Sequence, residues 1–223
     1  MITNNTYYKN ELYIPHAKPS ITSDVTQVAS ELSSFIAKYE RQCLIMCLGL
    51  QLSLEFISKL DSKRSNGLIV GVDQKWDDLL NGKTYNNPNG DFVEWRGIRF
   101  KSPGCSTYDS SFLANYVYSK FEQNYDLTRT GIGDGKIQGK NIEERSSAPK
   151  VMRAIREMTN MIQGKEYDSK VLERRVGFGI DYYEENMETS LYTFIRDMNH
   201  LVADTYDNFK PTYWNRQQNQ FGI

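Results

Sequence analysis

Asp24-Val25-Thr26-Gln27-Val28-Ala29-Ser30-Glu31-Leu32-Ser33-Ser34-Phe35-Ile36-Ala37-Lys38-Tyr39 is the stretch on which the fold turns. Val25, Val28, Ala29, Leu32, Phe35, Ile36 and Tyr39 recur three or four residues apart and so share one face of a helix. Ser23 or Asp24 can cap its start, with Gln27 three residues after Asp24 as in a capping box. Burying that stripe is worth on the order of 10 kcal/mol before chain entropy is charged. A lone helix of this length is marginal in water, so the stripe must dock on other elements.

Further helices are expected on both sides of this logic. Cys43 to Leu60 predicts a second helical region, with Gly49 as a break or close-packing point and Leu50, Leu54, Ile57 and Leu60 as its stripe. Trp76 to Leu80 predicts one or two helical turns stopped by Asn81-Gly82. A third long helix is expected from Tyr108 to Phe121, with Phe112, Leu113, Tyr116, Val117 and Phe121 on one face. Ser147 and Pro149 mark the start of a fourth, whose face is Val151, Met152, Ile155, Met158, Thr159 and Ile162, with Gly164 after its last turn. The fifth spans Met187 to Asn208, with Leu191, Phe194, Ile195, Met198, Leu201 and Val202 inward.

Strand signals are few. Leu68 to Val72 and Val176 to Ile180 predict short strands. Phe92, Val93 and Trp95, then Arg96-Gly97, then Ile98 and Phe100 predict a β-hairpin beyond the turn cluster Asn86-Asn87-Pro88-Asn89-Gly90. The expected fold is therefore mainly α: a helical bundle over 23–208 with a hairpin inserted near 91–101 and a long glycine-rich loop over 128–147. Extended arms flank it. The N-terminal arm covers 1–22, with Pro15, Pro19 and an apolar anchor at Leu12, Tyr13 and Ile14; the C-terminal tail covers 209–223.

Bulk composition narrows the function classes. Over 223 residues, 39% are hydrophobic and the mean hydropathy is −0.61, polar for a single large globule yet too apolar for a disordered chain. Basic and acidic residues number 27 and 28, which gives no electrostatic footprint for dedicated nucleic-acid or membrane-surface binding. The longest apolar-rich segment, Cys43 to Leu60, is interrupted by Gln51, Ser53 and Glu55, short of what a bilayer span needs. No secretion signal is read at the start, and three cysteines do not suggest a disulfide framework, so a cytosolic chain is expected. The 15 tyrosines suit either a Tyr-padded core or surfaces that partners cover.

No constellation of residues makes a complete catalytic, phosphate-binding or metal-binding motif. Gly131-Ile132-Gly133-Asp134-Gly135-Lys136 misses the phosphate-loop spacing, since Thr130 stands where its first glycine belongs and Ile137 replaces the hydroxyl residue. Cys43 and Cys47 share a helix face, but His16, His200 and Cys105 are remote in sequence, so core packing is the better reading than zinc. A Cys105–His200 nucleophile pair is the remaining enzyme alternative. The acidic run Asp181, Glu184, Glu185 and Glu188 reads as a solvated face. Arg153, Arg156, Arg174 and Arg175 are dispersed among acids and make no nucleic-acid stripe. No catalytic residue, cofactor or metal is expected.

Several pieces together resemble neck proteins of tailed bacteriophages, in particular the crAss-like phages of gut bacteria. They are Phe35-Ile36-Ala37-Lys38-Tyr39-Glu40 with Leu48-Gly49, Trp76-Asp77-Asp78-Leu79-Leu80-Asn81-Gly82 with Tyr85, and Trp95-Arg96-Gly97. Ala114-Asn115-Tyr116-Val117-Tyr118, Thr130-Gly131 and the terminal Asn219-Gln220-Phe221-Gly222-Ile223 complete the set. The resemblance implies a head–tail connector (adaptor) protomer in the virion, made in the host cytoplasm. It implies a closed ring of about twelve copies below the portal protein and above the next neck or tail ring, with DNA only as passing cargo and no membrane. Tyr213, Trp214, Phe221 and Ile223 are then the expected partner-binding residues of the tail. A stopper or tail-completion protein is the alternative within that class.

Overall fold

The computed structural model describes residues 1–15, 17, 23–61, 67–100, 109–128, 148–164 and 187–211. Helix α1 runs Ser23–Leu48 and α2 Leu50–Lys59. Helix α3 (Gln74–Asn81) leads into strands β1 (Lys83–Asn86) and β2 (Phe92–Trp95). Helices α4 (Phe112–Thr128) and α5 (Ala148–Gln163), strand β3 (Met187–Glu188) and helix α6 (Leu191–Leu201) complete the described elements. The molecule is a mainly α-helical bundle carrying a small hairpin.

The opening stripe docks as its spacing requires. Ala29, Leu32 and Ile36 are buried, and Val28, Phe35 and Tyr39 lean on the same cluster. Helix α4 lies between α1 and α5. Every residue from Ser111 to Ser119 is buried, so α4 presents no solvent face along that length. Its start is set by Ser111, whose Oγ accepts from the Leu113 amide at 3.1 Å while donating to the Ile98 carbonyl at 2.7 Å.

Gly49 separates α1 from α2. The first helix therefore continues through Cys43–Leu48, residues expected to open the second. At φ +86° Gly49 occupies the left-handed region, and a Cβ there would stand 2.3 Å from the Lys210 carbonyl oxygen. The face of α2 is also rotated from expectation. Leu52, Ser53 and Phe56 are buried, whereas Leu50 and Leu54 are exposed.

The hairpin uses the turn cluster as its loop. Strands β1 and β2 pair antiparallel with Tyr85 opposite Val93 and Lys83 opposite Trp95. The Asn87 side-chain oxygen accepts from the Asn89 and Asp91 amides at 3.0 and 2.9 Å, which folds 87–91 into a tight turn. The expected second strand at Ile98–Phe100 is instead a turn whose Ile98 and Arg99 amides donate to Leu79 and Leu80 at 3.1 and 3.2 Å. Those bonds satisfy carbonyls at the end of α3, so Arg96-Gly97 is a cap contact and not a hairpin turn. Strand β3 adds to β2 in parallel, giving the order β1-β2-β3. Leu68 makes only an isolated bridge to Leu60, and Gly71 lies in a turn, where a strand to Val72 was expected.

Two hydrophobic clusters form. The larger gathers the second half of α1, α2, α3, the sheet and α6 around Trp95, which stacks on Phe194 at 5.4 Å and donates its indole N–H to the Leu79 carbonyl at 3.2 Å. The smaller joins Leu32 and Ile36 of α1, Ala114, Val117 and Phe121 of α4 and Ala154 of α5 to Tyr7, Tyr8, Ile14 and Ala17. The N-terminal segment therefore departs from the expected extended arm over its described residues. It forms two single 3-10 turns, Asn5–Tyr7 and Asn10–Leu12, packed on the bundle. Its anchors are Ile2, Tyr7, Tyr8 and Ile14, while Tyr13 is exposed. Helix α6 also begins later and ends earlier than expected, capped by Ser190 and followed from Val202 by turns, with Leu201 and Val202 outward.

The loop 128–147 beyond Thr128, the strand expected at Val176–Ile180 and the tail from residue 212 lie outside the described residues.

Candidate functional site

The expected tail anchors Tyr213, Trp214, Phe221 and Ile223 lie outside the described residues, which end at Pro211. The root of the tail is described, and it is firmly held. After α6 the chain turns so that the Tyr206 amide donates to the Asn199 side-chain oxygen at 2.6 Å. The Tyr206 hydroxyl donates to the Lys75 carbonyl at 2.6 Å, and its ring meets Trp76 edge-on at 6.3 Å. Lys75 returns the contact by donating Nζ to the Thr205 carbonyl at 3.0 Å. Farther along, the Asn208 side-chain Nδ2 donates to Glu55 Oε1 at 2.7 Å and Phe209 packs edge-on against Tyr192 at 5.4 Å. Finally the Lys210 amide donates to the Leu48 carbonyl at 3.2 Å. One of the carbonyls left free at the C-terminus of α1 is thereby satisfied by the root of the tail.

Next to that root, α2 turns large apolar side chains outward. Leu50 is 61% exposed and Leu54 is 42% exposed, one helical turn apart on the same face. Leu201 and Val202, at the far side of the turn that starts the root, are 46% and 66% exposed. These four were expected in the core. The signal that separates the two faces of α2 is the aromatic one: Phe56 stacks on Trp76 at 5.9 Å, and that stack selects the Leu52–Phe56 face for burial.

Among the described residues, the buried thiols and carboxylates are packed in the interior and held by neighbours. The Cys43 and Cys47 sulfurs lie 3.8 Å apart in the interior, and burial pushes the Cys43 thiol well above its ordinary range, which keeps it protonated and unreactive. Asp197 is buried and accepts from the Tyr85 hydroxyl at 3.0 Å; burial raises its carboxyl, against the lowering influence of that bond and of Arg196 and His200. Glu40 is buried too, accepting from the Ile2 amide at 3.0 Å, the Thr3 amide at 2.6 Å and the Thr3 hydroxyl at 2.5 Å. Burial raises its carboxyl against those three bonds. Among the described residues, no three His, Cys, Asp or Glu side chains are grouped to hold a metal ion.

His200 is exposed near the end of α6, and Cys105, His16, Gly131–Lys136, Arg174, Arg175 and Asp181–Glu185 lie outside the described residues. Glu188 is described and pairs with Arg96. Arg153 and Arg156 are exposed on α5, with Arg153 Nη1 3.5 Å from Glu11. Among the described residues, no helix is long and apolar enough to cross a membrane.

The chain matches no family model, no curated protein and no solved structure.

Proposed function

We propose that this chain is a non-enzymatic structural protomer of a phage head–tail connector ring, docking on the portal on one side and on the next neck or tail ring on the other. The observation that carries the reading is the outward pair Leu50 and Leu54 beside the pinned root of an aromatic tail. Isolated exposed leucines need no explanation, but two on one helical turn adjoining a chain exit with four large apolar residues beyond it are suited to coverage by a partner. In this reading the α2 face meets a neighbouring subunit, the tail anchors on the portal or next ring, and Tyr213, Trp214, Phe221 and Ile223 supply its side-chain anchors. About twelve copies close the ring, and DNA passes through it.

Negative-stain electron microscopy and native mass spectrometry of the purified chain, alone and with portal, test this. Rings of uniform diameter, or co-migration with portal that is lost on deleting 211–223, are the expected results. A chain that stays monomeric at every concentration and ignores portal would remove the reading. Leu50→Glu with Leu54→Glu is expected to block ring closure while leaving the monomer folded.

A further inference from the structure

The N-terminal segment is a strap whose Tyr7, Tyr8, Ile14 and Ala17 cover the smaller cluster while Ile2 enters the larger one. Its apolar anchors Tyr7, Tyr8, Ile14 and Ala17 are buried against α1, α4 and α5. Its polar fastenings reach four different places. Ile2 and Thr3 donate to Glu40 on α1 at 2.5–3.0 Å. The Tyr7 hydroxyl donates to the Arg99 carbonyl at 3.1 Å, and Lys9 meets Asp109, ahead of α4, at 3.4 Å. Glu11 faces Arg153 on α5 at 3.5 Å. Its described residues form only single turns, held locally by bonds such as Asn5 Nδ2 to the Ala17 carbonyl at 2.6 Å, so the strap can keep its local shape while its position on the bundle depends on the seat.

The seat is chemically particular. Glu40 is a carboxylate in the interior that accepts three hydrogen bonds from the strap, so an empty seat would leave it without those three donors. A buried acceptor stripped of its partners is costly. The groove therefore demands a segment with this arrangement of backbone amides, hydroxyl and tyrosines, and another copy of this chain carries an identical one.

We infer that the groove between α1, α4 and α5 is an exchange site, which accepts residues 2–17 of a second copy in place of its own. Every contact made within one chain is remade between chains, so exchange is close to neutral in contact energy and is decided by concentration. A tethered strap has an effective concentration in the millimolar range, so a dilute monomer keeps its own. The six Cα-to-Cα steps from Ala17 to Ser23 reach at most about 22 Å, so only a closely packed neighbour can donate. Exchange around a ring rests on the connector reading; exchange between two copies does not.

Two full-length variants test it when mixed. Glu40→Lys spoils the seat and keeps the strap, while Tyr7→Asp with Tyr8→Asp spoils the strap and keeps the seat. Refolded together, they are expected to give a 1:1 species of twice the monomer mass by native mass spectrometry, absent from either alone. A mixture that stays the sum of its parts overturns the inference. Should either variant fail to fold, Thr6→Cys with Asp109→Cys in a Cys105→Ser background, oxidised at high concentration, reports the same event, since Thr6 Oγ1 and Asp109 Oδ2 lie 3.5 Å apart. Interchain disulfides on a non-reducing gel support exchange, and intrachain disulfides alone refute it. Rings holding only intrachain bonds would spare the connector reading and end this one; exchange without rings would do the reverse.

Discussion

The two hydrophobic clusters are closed in different ways. The larger is sealed by regular elements, with Phe194 of α6 in ring contact with Trp95 and Tyr85 of the sheet at 5.4 and 5.8 Å. The smaller is sealed by the strap, whose fastenings are separate side-chain bonds spread over several elements. Helical and sheet hydrogen bonds are cooperative, whereas a strap can lift while its seat persists. The expectation is that the sheet side carries global stability while the strap over the smaller cluster opens locally.

Phe194→Ala should draw that contrast most sharply. It removes a ring that touches Trp95, Tyr85 and Tyr206, and a loss of about 3–5 kcal/mol in global unfolding is expected from denaturant titration. A loss below about 1 kcal/mol would mean that the sheet side does not carry the fold. Gly97→Ala comes next. Its φ is +84° and an added Cβ would sit 2.6 Å from the Leu80 carbonyl oxygen, so about 2–3 kcal/mol of destabilisation is expected. At the seat of the strap, Glu40→Ala leaves the Ile2 and Thr3 amides without their carboxylate and should cost about 1–3 kcal/mol. Hydrogen exchange should show that loss as faster exchange in residues 2–12 with α6 unchanged. Equal acceleration in both would dissolve the distinction between the clusters.

The pH response separates them less strongly. Glu40 and Asp197 both have folded-state carboxyls raised above their ordinary range, chiefly by burial. The folded protein then binds more protons than the unfolded chain above the ordinary carboxylate range. Their contribution to stability therefore grows as pH falls from neutral toward that range, and is lost as pH rises through the raised values. Glu40→Gln should flatten the part of this slope that denaturant midpoints between pH 7 and 5 assign to the strap. An unchanged slope would mean that Glu40 takes no part in it. The smallest stability effect is expected from Leu50→Ser, within about 0.5 kcal/mol of wild type because the side chain is already in water.

What could be read from the chain follows the same divide. Long stripes such as Leu32–Ile36 and Val151–Ile162 were legible because many apolar positions vote for one face. Helix α2 has ten residues, and apolar residues stand on both sides of it, so periodicity alone selected Leu50 and Leu54 over Leu52 and Phe56. Strand β1 carries a single apolar residue, Tyr85, and so left no alternation to see, which displaced the expected hairpin toward 98–100. The strap has no period at all. Tyr7 and Tyr8 are buried by the shape of a groove assembled from three distant helices, and no local pattern encodes that. The tail anchors stand out in the sequence as aromatic or apolar residues beyond the last helix, and the described residues reach only their root.

That root has a mechanical consequence. The Lys210 amide grips the last carbonyl of the longest helix, and its own carbonyl crowds Gly49 so closely that no side chain fits between them. Tension applied to whatever the final residues hold enters the protein at this junction and runs along α1. The Asn208–Glu55 and Tyr206–Lys75 bonds stand between that junction and α6 along the chain.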